Sequence, residues 1–537
     1  MKRFVEIFLK HSALIAFCFL ALTLFLTTTV QAEVFLVKYK STEGIVSIQN
    51  SGAQILEVHR PGKLAKVYFD DQVLVQSYLA LSKDKNVEYI VPNTKVYSYA
   101  RPVWFDAIEG IFKNPSQTEA FFARSQWAID KVQAKEAWQK AGNKGSSKIT
   151  VAVIDTGVDY NHVALRANMV SGYDFIGKDS DPMDVTGPNN PGHGTHCAGV
   201  VGATGVSDST FGISPEVRIM PLRFLGSNGG GDTMDGVKAI DYAISKKVQV
   251  ISASWGSKQT PDKARPIIEA VQRAQNAGIV FVAAAGNDGK DSDIANFFPA
   301  NVATINVAAS DSADDRPYWS NYGRKNVHVA APGAEIISTL PGNAYGNLDG
   351  TSMAAPLVSG LVAFLLAQDP SLKPSQVKAI IEASGDKANI RTACKCRVNV
   401  LKATEIVTGK LLAIEPAVGS LPVDGKMKFN NIYGKPPFKY SVSNDQLASI
   451  DDSGNLTAKS NGEVQVIVTD SSGANARTQN IILGAGGGTN PPQDPPKPPN
   501  DPPNDPPDEP DPEKCPFQNP RACEYACKID PTLRWCK

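Results

Sequence analysis

The chain has 537 residues, enough for a large core and more than one domain. Its 54 Lys and Arg balance 54 Asp and Glu. A formal net charge of zero excludes the basic footprint of a nucleic-acid-binding protein and gives no attraction toward acidic substrates.

Residues 1–32 read as a secretory signal. Lys2 and Arg3 make a basic start, 13–26 is an apolar run, and Val30-Gln31-Ala32 is a small-residue cleavage site. The run falls short of the roughly 20 residues of a spanning helix. Cys18 lies inside it behind bulky Phe17, which does not suit a lipid-attachment site. The expected compartment is oxidising, and cleavage leaves seven cysteines. An odd number leaves one thiol unpaired, or paired between chains. Cys197, in an apolar small-residue run four positions after His193, is the candidate free thiol.

Residues 33–98 mix short alternating strands with one helical pattern at 73–81, a small α+β domain closing on Val87-Glu88-Tyr89-Ile90-Val91-Pro92-Asn93. Residues 99–120 lack periodicity and read as a linker where processing is expected. From 121 to 408, strand-length apolar runs at 149–154, 248–253, 279–284 and 304–308 alternate with helical spacing at 235–245 and 267–277. Nearly continuous apolar strands are buried on both faces, so the fold class is α/β, a doubly wound parallel sheet whose site lies at the carboxyl ends of the strands. Residues 409–484 alternate differently, as at Val464, Val466 and Val468, between Gly, Asn and Asp turns, and predict a β-sandwich. In 485–514, twelve prolines from Pro491 to Pro512 make a polyproline spacer reaching roughly 70 Å at about 3.1 Å per residue. The last segment, 515–537, has four cysteines in 23 residues and reads as a disulfide-stapled tip, with a four-cysteine zinc site as the alternative.

Four short segments carry chemistry. Asp155 ends a predicted strand in Ile154-Asp155-Thr156-Gly157, where an Asp could cap a turn or, buried, orient a base. His193-Gly194-Thr195-His196 holds two of only six histidines. Such a pair can ligate zinc, though no nearby acid completes the helical zinc-protease pattern. As a general base, His193 would pair with Asp155. Gly286-Asn287 follows another buried strand; Asn-Gly is ordinarily a turn, but the Asn287 amide can also donate to an oxyanion. Ser352 lies where an apolar helix starts in Gly350-Thr351-Ser352-Met353. A serine there is commonly just an N-cap, yet helix-start N–H groups also favour a developing negative charge. Pro356 is tolerated within the first turn. Together the segments supply the orienting carboxylate, base, oxyanion donor and hydroxyl nucleophile of acyl transfer, in the order Asp, His, Ser.

Residues 121–408 thus resemble the subtilisin-like serine endopeptidases. The resemblance implies Asp155, His193 and Ser352 as the triad and Asn287 as oxyanion donor. It implies that Ser254-Trp255-Gly256 and Gly229-Gly230-Gly231 are edge segments between which an extended peptide is added. Cys197 is similar to the thiol beneath the base in the proteinase K and thermitase branch, so mercurials are expected to inhibit. Residues 33–98 resemble the family's inhibitory prodomain, whose tail fills the cleft. The stretch Ile450-Asp451-Asp452-Ser453-Gly454-Asn455-Leu456-Thr457-Ala458 resembles bacterial immunoglobulin-like domains. One departure concerns calcium. Ala164 and Val206 stand where many relatives have ligands, while Asp179, Asp181 and Asp184 offer a different structural calcium site or a solvated acidic loop.

The expected protein is a secreted endopeptidase made as a zymogen, with no cofactor required for its chemistry. Its expected partners are polypeptide substrates and its own prodomain, with a cell-surface or polysaccharide ligand for the C-terminal modules. Trp255 beside the first pocket suggests apolar or aromatic residues before the cut.

Overall fold

A computed structural model describes residues 34–70, 74–98, 101–102, 126–187, 189–206 and 210–484. The predicted signal peptide, most of the processing linker, the Pro-rich spacer and the Cys-rich tip lie outside the described residues. Contacts divide the described chain into two compact units, the first ending at Asn93 and the second beginning at Thr94. The break therefore falls five residues before the boundary expected at 98, because Lys95–Ser98 pairs with strands of the second unit.

In the first unit, strands Val34–Tyr39, Gln54–His59, Leu64–Tyr68 and Val87–Pro92 form an antiparallel sheet with Val34–Tyr39 between Leu64–Tyr68 and Val87–Pro92. Phe35, Ile48, Val67, Phe69 and Tyr78 fill its core, Phe35 edge-on to Phe69 at 5.4 Å. Helix Leu74–Ser82 matches its pattern, but a second helix, Thr42–Asn50, does not announce itself. It contains Gly44, a poor helix residue. That glycine is needed because a Cβ would stand 2.8 Å from the Asn86 carbonyl oxygen.

The second unit is built on a nine-stranded sheet. Its order is Tyr173–Asp174, Arg218–Arg223, Thr150–Asp155, Val250–Ala253, Val280–Ala284, Ile305–Ser310, Val329–Pro332, Cys396–Arg397, Asp386–Lys387. Every pairing is parallel except the last. Val280, Val282 and Ala284 join the core around helix Thr351–Gln368, while the alternating Phe281 and Ala283 are also buried, on the opposite face by the two-residue period. That is why the strands read as unbroken apolar runs.

The first strand of this sheet in sequence, Thr150–Asp155, is interior, third from one edge. The chain builds outward on one side of it through Arg218–Arg223, then on the other through Val250–Ala253. This reversal opens a crevice at the carboxyl ends of Thr150–Asp155 and Val250–Ala253, where open α/β sheets bind ligands. Helix Thr351–Gln368 packs across five strands of this sheet and is buried from Thr351 to Leu366. Helix Pro261–Asn276 starts six residues before the expected 267. Thr260 caps it, Pro261 occupies its first position, and Pro266 inside it hides the early turns from a periodicity reading.

From Ala413 to Leu483 the described chain forms eleven short strands around a core that includes Phe429, Leu456, Val466 and Ile481. This β-rich region is seated on the α/β core. Ala413, Ala417 and Ile432 belong to the main hydrophobic cluster, and Tyr433 Oη and Lys410 Nζ both donate to Asp369 Oδ2, at 2.7 and 2.5 Å. Cys394 pairs with Cys396, and Cys197 is a buried free thiol.

Helix Pro374–Ser384, against which strand Ala413–Glu415 packs, carries a buried carboxyl. Glu382 is 1 % exposed, one of its oxygens has no hydrogen-bond partner, and Lys378 stands 3.8 Å away. Burial pushes this carboxyl up to about 7, against the opposing pull of Lys378. The folded state therefore keeps a proton that the unfolded chain releases near its ordinary value of about 4.3. Stability falls as pH rises from there through about 7, by about 3 kcal/mol. We predict that Glu382→Gln, in a Ser352→Ala background that prevents self-digestion, unfolds later in urea at pH 8 than its parent and at the same urea concentration at pH 4.

Candidate active site

Asp155 closes strand Thr150–Asp155 and is 1 % exposed. Its Oδ1 accepts from the backbone N–H of Thr156 at 2.8 Å and stands 2.6 Å from His193 Nδ1. His193 is the first residue of helix His193–Gly202, so the helix itself delivers the ring to the strand end. Two glycines permit the approach. A Cβ on Gly194 would lie 2.1 Å from the Gly157 carbonyl oxygen, and Gly157, at φ +106°, lies under the Pro182 and Met183 carbonyls.

The helix start is fixed from below. Asn190 Oδ1 accepts from the N–H groups of Gly192 and His193, at 3.0 and 2.8 Å. Asn190 Nδ2 donates to Asp184 Oδ1 at 2.9 Å, and Asp184 Oδ2 accepts from Thr195 N and Oγ1 at 3.0 and 2.7 Å. Asp184 is thus a buried anchor of the base helix. Asp181 accepts from Tyr160 Oη and Asp179 from the Asp181 N–H, while Ala164 is fully buried and Val206 exposed. Among the described residues, the group bringing three metal-ligating atoms together is Asp155, His193 and Cys197, not these aspartates.

Burial opposes charge on the His193 ring, but the Asp155 carboxylate beside it prevails and holds its pKa well above the usual imidazole value. Nε2 makes no hydrogen bond. Ser352, the second residue of its helix, donates from Oγ to the Ser254 carbonyl at 3.0 Å, and Ser254 Oγ returns a bond of 3.0 Å to the Ser352 carbonyl. Cys197 Sγ lies 3.3 Å from that same carbonyl oxygen and 4.0 Å from His193 Nδ1, packed between nucleophile and base.

Asn287 follows strand Val280–Ala284. Its Oδ1 accepts from both N and Oγ1 of Thr351, at 3.0 and 2.9 Å, and Thr351 Oγ1 also accepts from Gly286 N at 3.1 Å. Two donors on the carbonyl side direct Asn287 Nδ2 the opposite way. Asn321 holds the same turn, donating to the Ala285 carbonyl and accepting from Asp288 and Lys290. Asn321 and Asn190 escape a motif reading, because their side chains serve mainly to hold other residues' backbone groups.

The edge segments meet the chain itself. Lys95–Ser98 lies antiparallel between Gly230–Asp232 and Trp255–Lys258, with Val96 opposite Gly231 and Tyr97 opposite both Gly230 and Gly256. Ser98 pairs with Trp255 and donates its N–H to the Gly229 carbonyl at 2.9 Å. Beyond it, Arg101–Pro102 pairs antiparallel with Asp349 and Leu348, three and four residues before Ser352. Trp255 takes part through its backbone. Its indole is fully buried, edge-on to Phe224 at 4.7 Å, so it belongs to the core and does not present an aromatic wall to a substrate.

Residues 146–397 match the family model described as the subtilase family. Thermitase of Thermoactinomyces vulgaris is 38 % identical over 291 residues, 53 % of this chain and 98 % of that one. A thermophilic serine proteinase of Bacillus sp. (strain AK1) is 39 % identical over 324 residues, 59 % of this chain and 75 % of the relative. Subtilisin amylosacchariticus of Bacillus subtilis subsp. amylosacchariticus is 30 % identical over 359 residues, 65 % of this chain and 84 % of the relative. With an α/β sheet of this topology, the chain belongs to the subtilase family and is a subtilisin-like serine protease.

Proposed function

We propose that this protease is secreted as a zymogen and cleaves extended polypeptides through an acyl-enzyme on Ser352. The observation that carries the reading is the strand Lys95–Ser98, which occupies the space between the two edge segments as a bound peptide would. Its bonds to Gly229, Gly230, Gly231, Trp255 and Gly256 are backbone bonds, so many sequences can use them. Ser98 pairs with Trp255 and Arg101 with Asp349, which supports a processing bond among the three peptide bonds between them.

In catalysis His193 Nε2 takes the Ser352 Oγ proton as Oγ adds to the carbonyl carbon. Asn287 Nδ2 and the helix-start N–H of Ser352 hold the oxyanion. The same imidazolium then protonates the leaving amine, and water attacks the acyl-enzyme by the reverse relay. Asp155 keeps Nδ1 protonated and stabilises the charged ring. These roles use only side chains and backbone of this chain. The structural calcium expected near Asp179, Asp181 and Asp184 would act on loop stability alone. The C-terminal modules would meet a surface or polysaccharide ligand.

Three outcomes are expected. Ser352→Ala accumulates uncleaved precursor in a protease-deficient host, whereas the active enzyme makes its first cut after residue 98, 99 or 100; intact-mass analysis reads both, and a first cut beyond Pro102 removes the assignment. Only neutral imidazole can accept the proton, and Asp155 raises the pKa of His193. Activity is therefore absent at low pH and rises through a limb above about 6.5, the ordinary imidazole value. Asp155→Asn moves that limb down and lowers turnover by about 10⁴, and a pH–rate profile of kcat/KM checks both. Mercurials inhibit the wild type by capping Cys197, and Cys197→Ser resists them in the same titration.

A further inference from the structure

The proposed triad leaves two buried histidines unused, His162 and His196. His196 lies one turn beyond the base on the same helix and is fully buried. Its Nε2 is 2.9 Å from the carbonyl oxygen of Ile336 and 3.1 Å from that of Gly346, while Nδ1 has no hydrogen-bond partner. Two carbonyl acceptors require a proton on Nε2, and the buried Nδ1, with no acceptor for a second proton, keeps the ring neutral in that tautomer. Burial pushes its pKa down to about 3, and the nearby His193 adds to the effect.

Ile336 and Gly346 lie on different strands. Ile336–Leu340 and Ala344–Asp349 form a hairpin, and its second strand runs through Asp349 into Gly350, Thr351 and Ser352. One imidazole N–H therefore clasps both strands near the nucleophile end. The rest of the hairpin is also fastened to the elements around the base. Ser338 Oγ donates to the His196 carbonyl and Thr339 Oγ1 to the Thr195 carbonyl, both at 2.8 Å. At the tip, Gly342 N donates to Asp159 Oδ2 and Asn343 Oδ1 accepts from Val163 N, both at 2.8 Å. The approach is close enough that a Cβ on Gly199 would meet Ser338 Oγ at 2.2 Å.

The outer strand of this hairpin is also the one that pairs with Arg101–Pro102, the part of the bound chain beyond the processing bond. We propose that His196 is a positioning residue that sets this strand against the base helix, and so governs how the leaving-group side of a polypeptide substrate is held. It touches neither substrate nor reacting atoms. Its effect passes through the strand ending at Asp349. The inference rests on the endopeptidase reading above.

The test compares two substrates of equal acyl sequence. One is a peptide nitroanilide, whose leaving group has no backbone to pair with Asp349. The other is an internally quenched peptide extending four residues past the cut. Hydrolysis of the nitroanilide by the wild type establishes the endopeptidase reading independently; failure there refutes that reading, not this one. His196→Ala is expected to lower kcat/KM on the extended peptide about 10-fold more than on the nitroanilide, through a raised KM, as expected when a buried donor is lost and the strand shifts. His196→Gln, which keeps an N–H donor, is expected to recover part of that difference. Equal losses on both substrates, or no loss on either, overturn the proposal. Should His196→Ala not accumulate as folded protein, Ser338→Ala, which removes one bond between helix and hairpin, carries the same comparison. It is expected to show the same preferential loss in smaller measure, and equal losses again overturn it.

Discussion

The contact on which the structure turns is the 2.6 Å approach of the Asp155 carboxylate to the His193 ring, with both side chains at most 1 % exposed. Placing a carboxylate there costs desolvation that its attraction to the ring need not recover, and Asp155 Oδ2 has no hydrogen-bond partner. A pair of this kind persists only where the surrounding fold fixes both members. Strand Thr150–Asp155 is held by parallel neighbours on each side, and the base helix is seated on its end through contact between Gly157 and Gly194. The glycines of the Asp-Thr-Gly and His-Gly-Thr-His segments are therefore steric requirements of that one contact. Any side chain at 194 would drive the helix off the strand and open the pair.

The nucleophile reaches the same crevice by a separate route and is fixed by reciprocal bonds. Ser254 and Ser352 exchange hydroxyl-to-carbonyl bonds, and Thr351 ties the start of the nucleophile helix to Gly286 and Asn287. The proposed oxyanion donor and the nucleophile thus move as one body. Acceptance by Asn287 Oδ1 leaves a single orientation for its amide, so the donor is aimed before substrate arrives. Such preorganisation is what makes an oxyanion donor effective, since no reorganisation is required as charge develops.

The parts legible in the sequence were those whose chemistry or period is local. Buried parallel strands announce themselves as apolar runs, and Asp155, His193, Asn287 and Ser352 stand in short segments whose residue types suit acyl transfer. What escaped acts at long range. Asn321 is unremarkable between Ser320 and Tyr322, and only folding brings it under the turn at Ala285. Gly44 argued against the helix that contains it, because its use is a contact with the distant Asn86 carbonyl. Trp255 misled in the opposite sense. Its position beside the substrate strand suggested a pocket wall, but alternation along the strand turns the indole into the core against Phe224. Asp184, one of three candidate cation ligands, also holds Thr195 and Asn190, a task that no local pattern in the sequence records.

Lys95–Ser98 sits between the two edge segments while the Ser352 hydroxyl is engaged with a backbone carbonyl. Ser352 Oγ donates to the Ser254 carbonyl while His193 Nε2 makes no hydrogen bond, so the bond that general-base catalysis requires between the two proposed partners is not formed in this state. A strand added between Gly230–Asp232 and Trp255–Lys258 is held by backbone bonds that do not depend on whether the next peptide bond is intact. On the zymogen proposal, cutting that bond would leave the strand in place between the edge segments. On that proposal, release would require loss of the strand's own anchors, among them the 2.7 Å ion pair of Lys95 with Asp232 and the bonds of Thr94 to Thr233. Under the proposed zymogen reading, bond cleavage and activation are two separate events, the first assigned to Ser352 and the second to how firmly the residues before Val96 hold to Asp232 and Thr233.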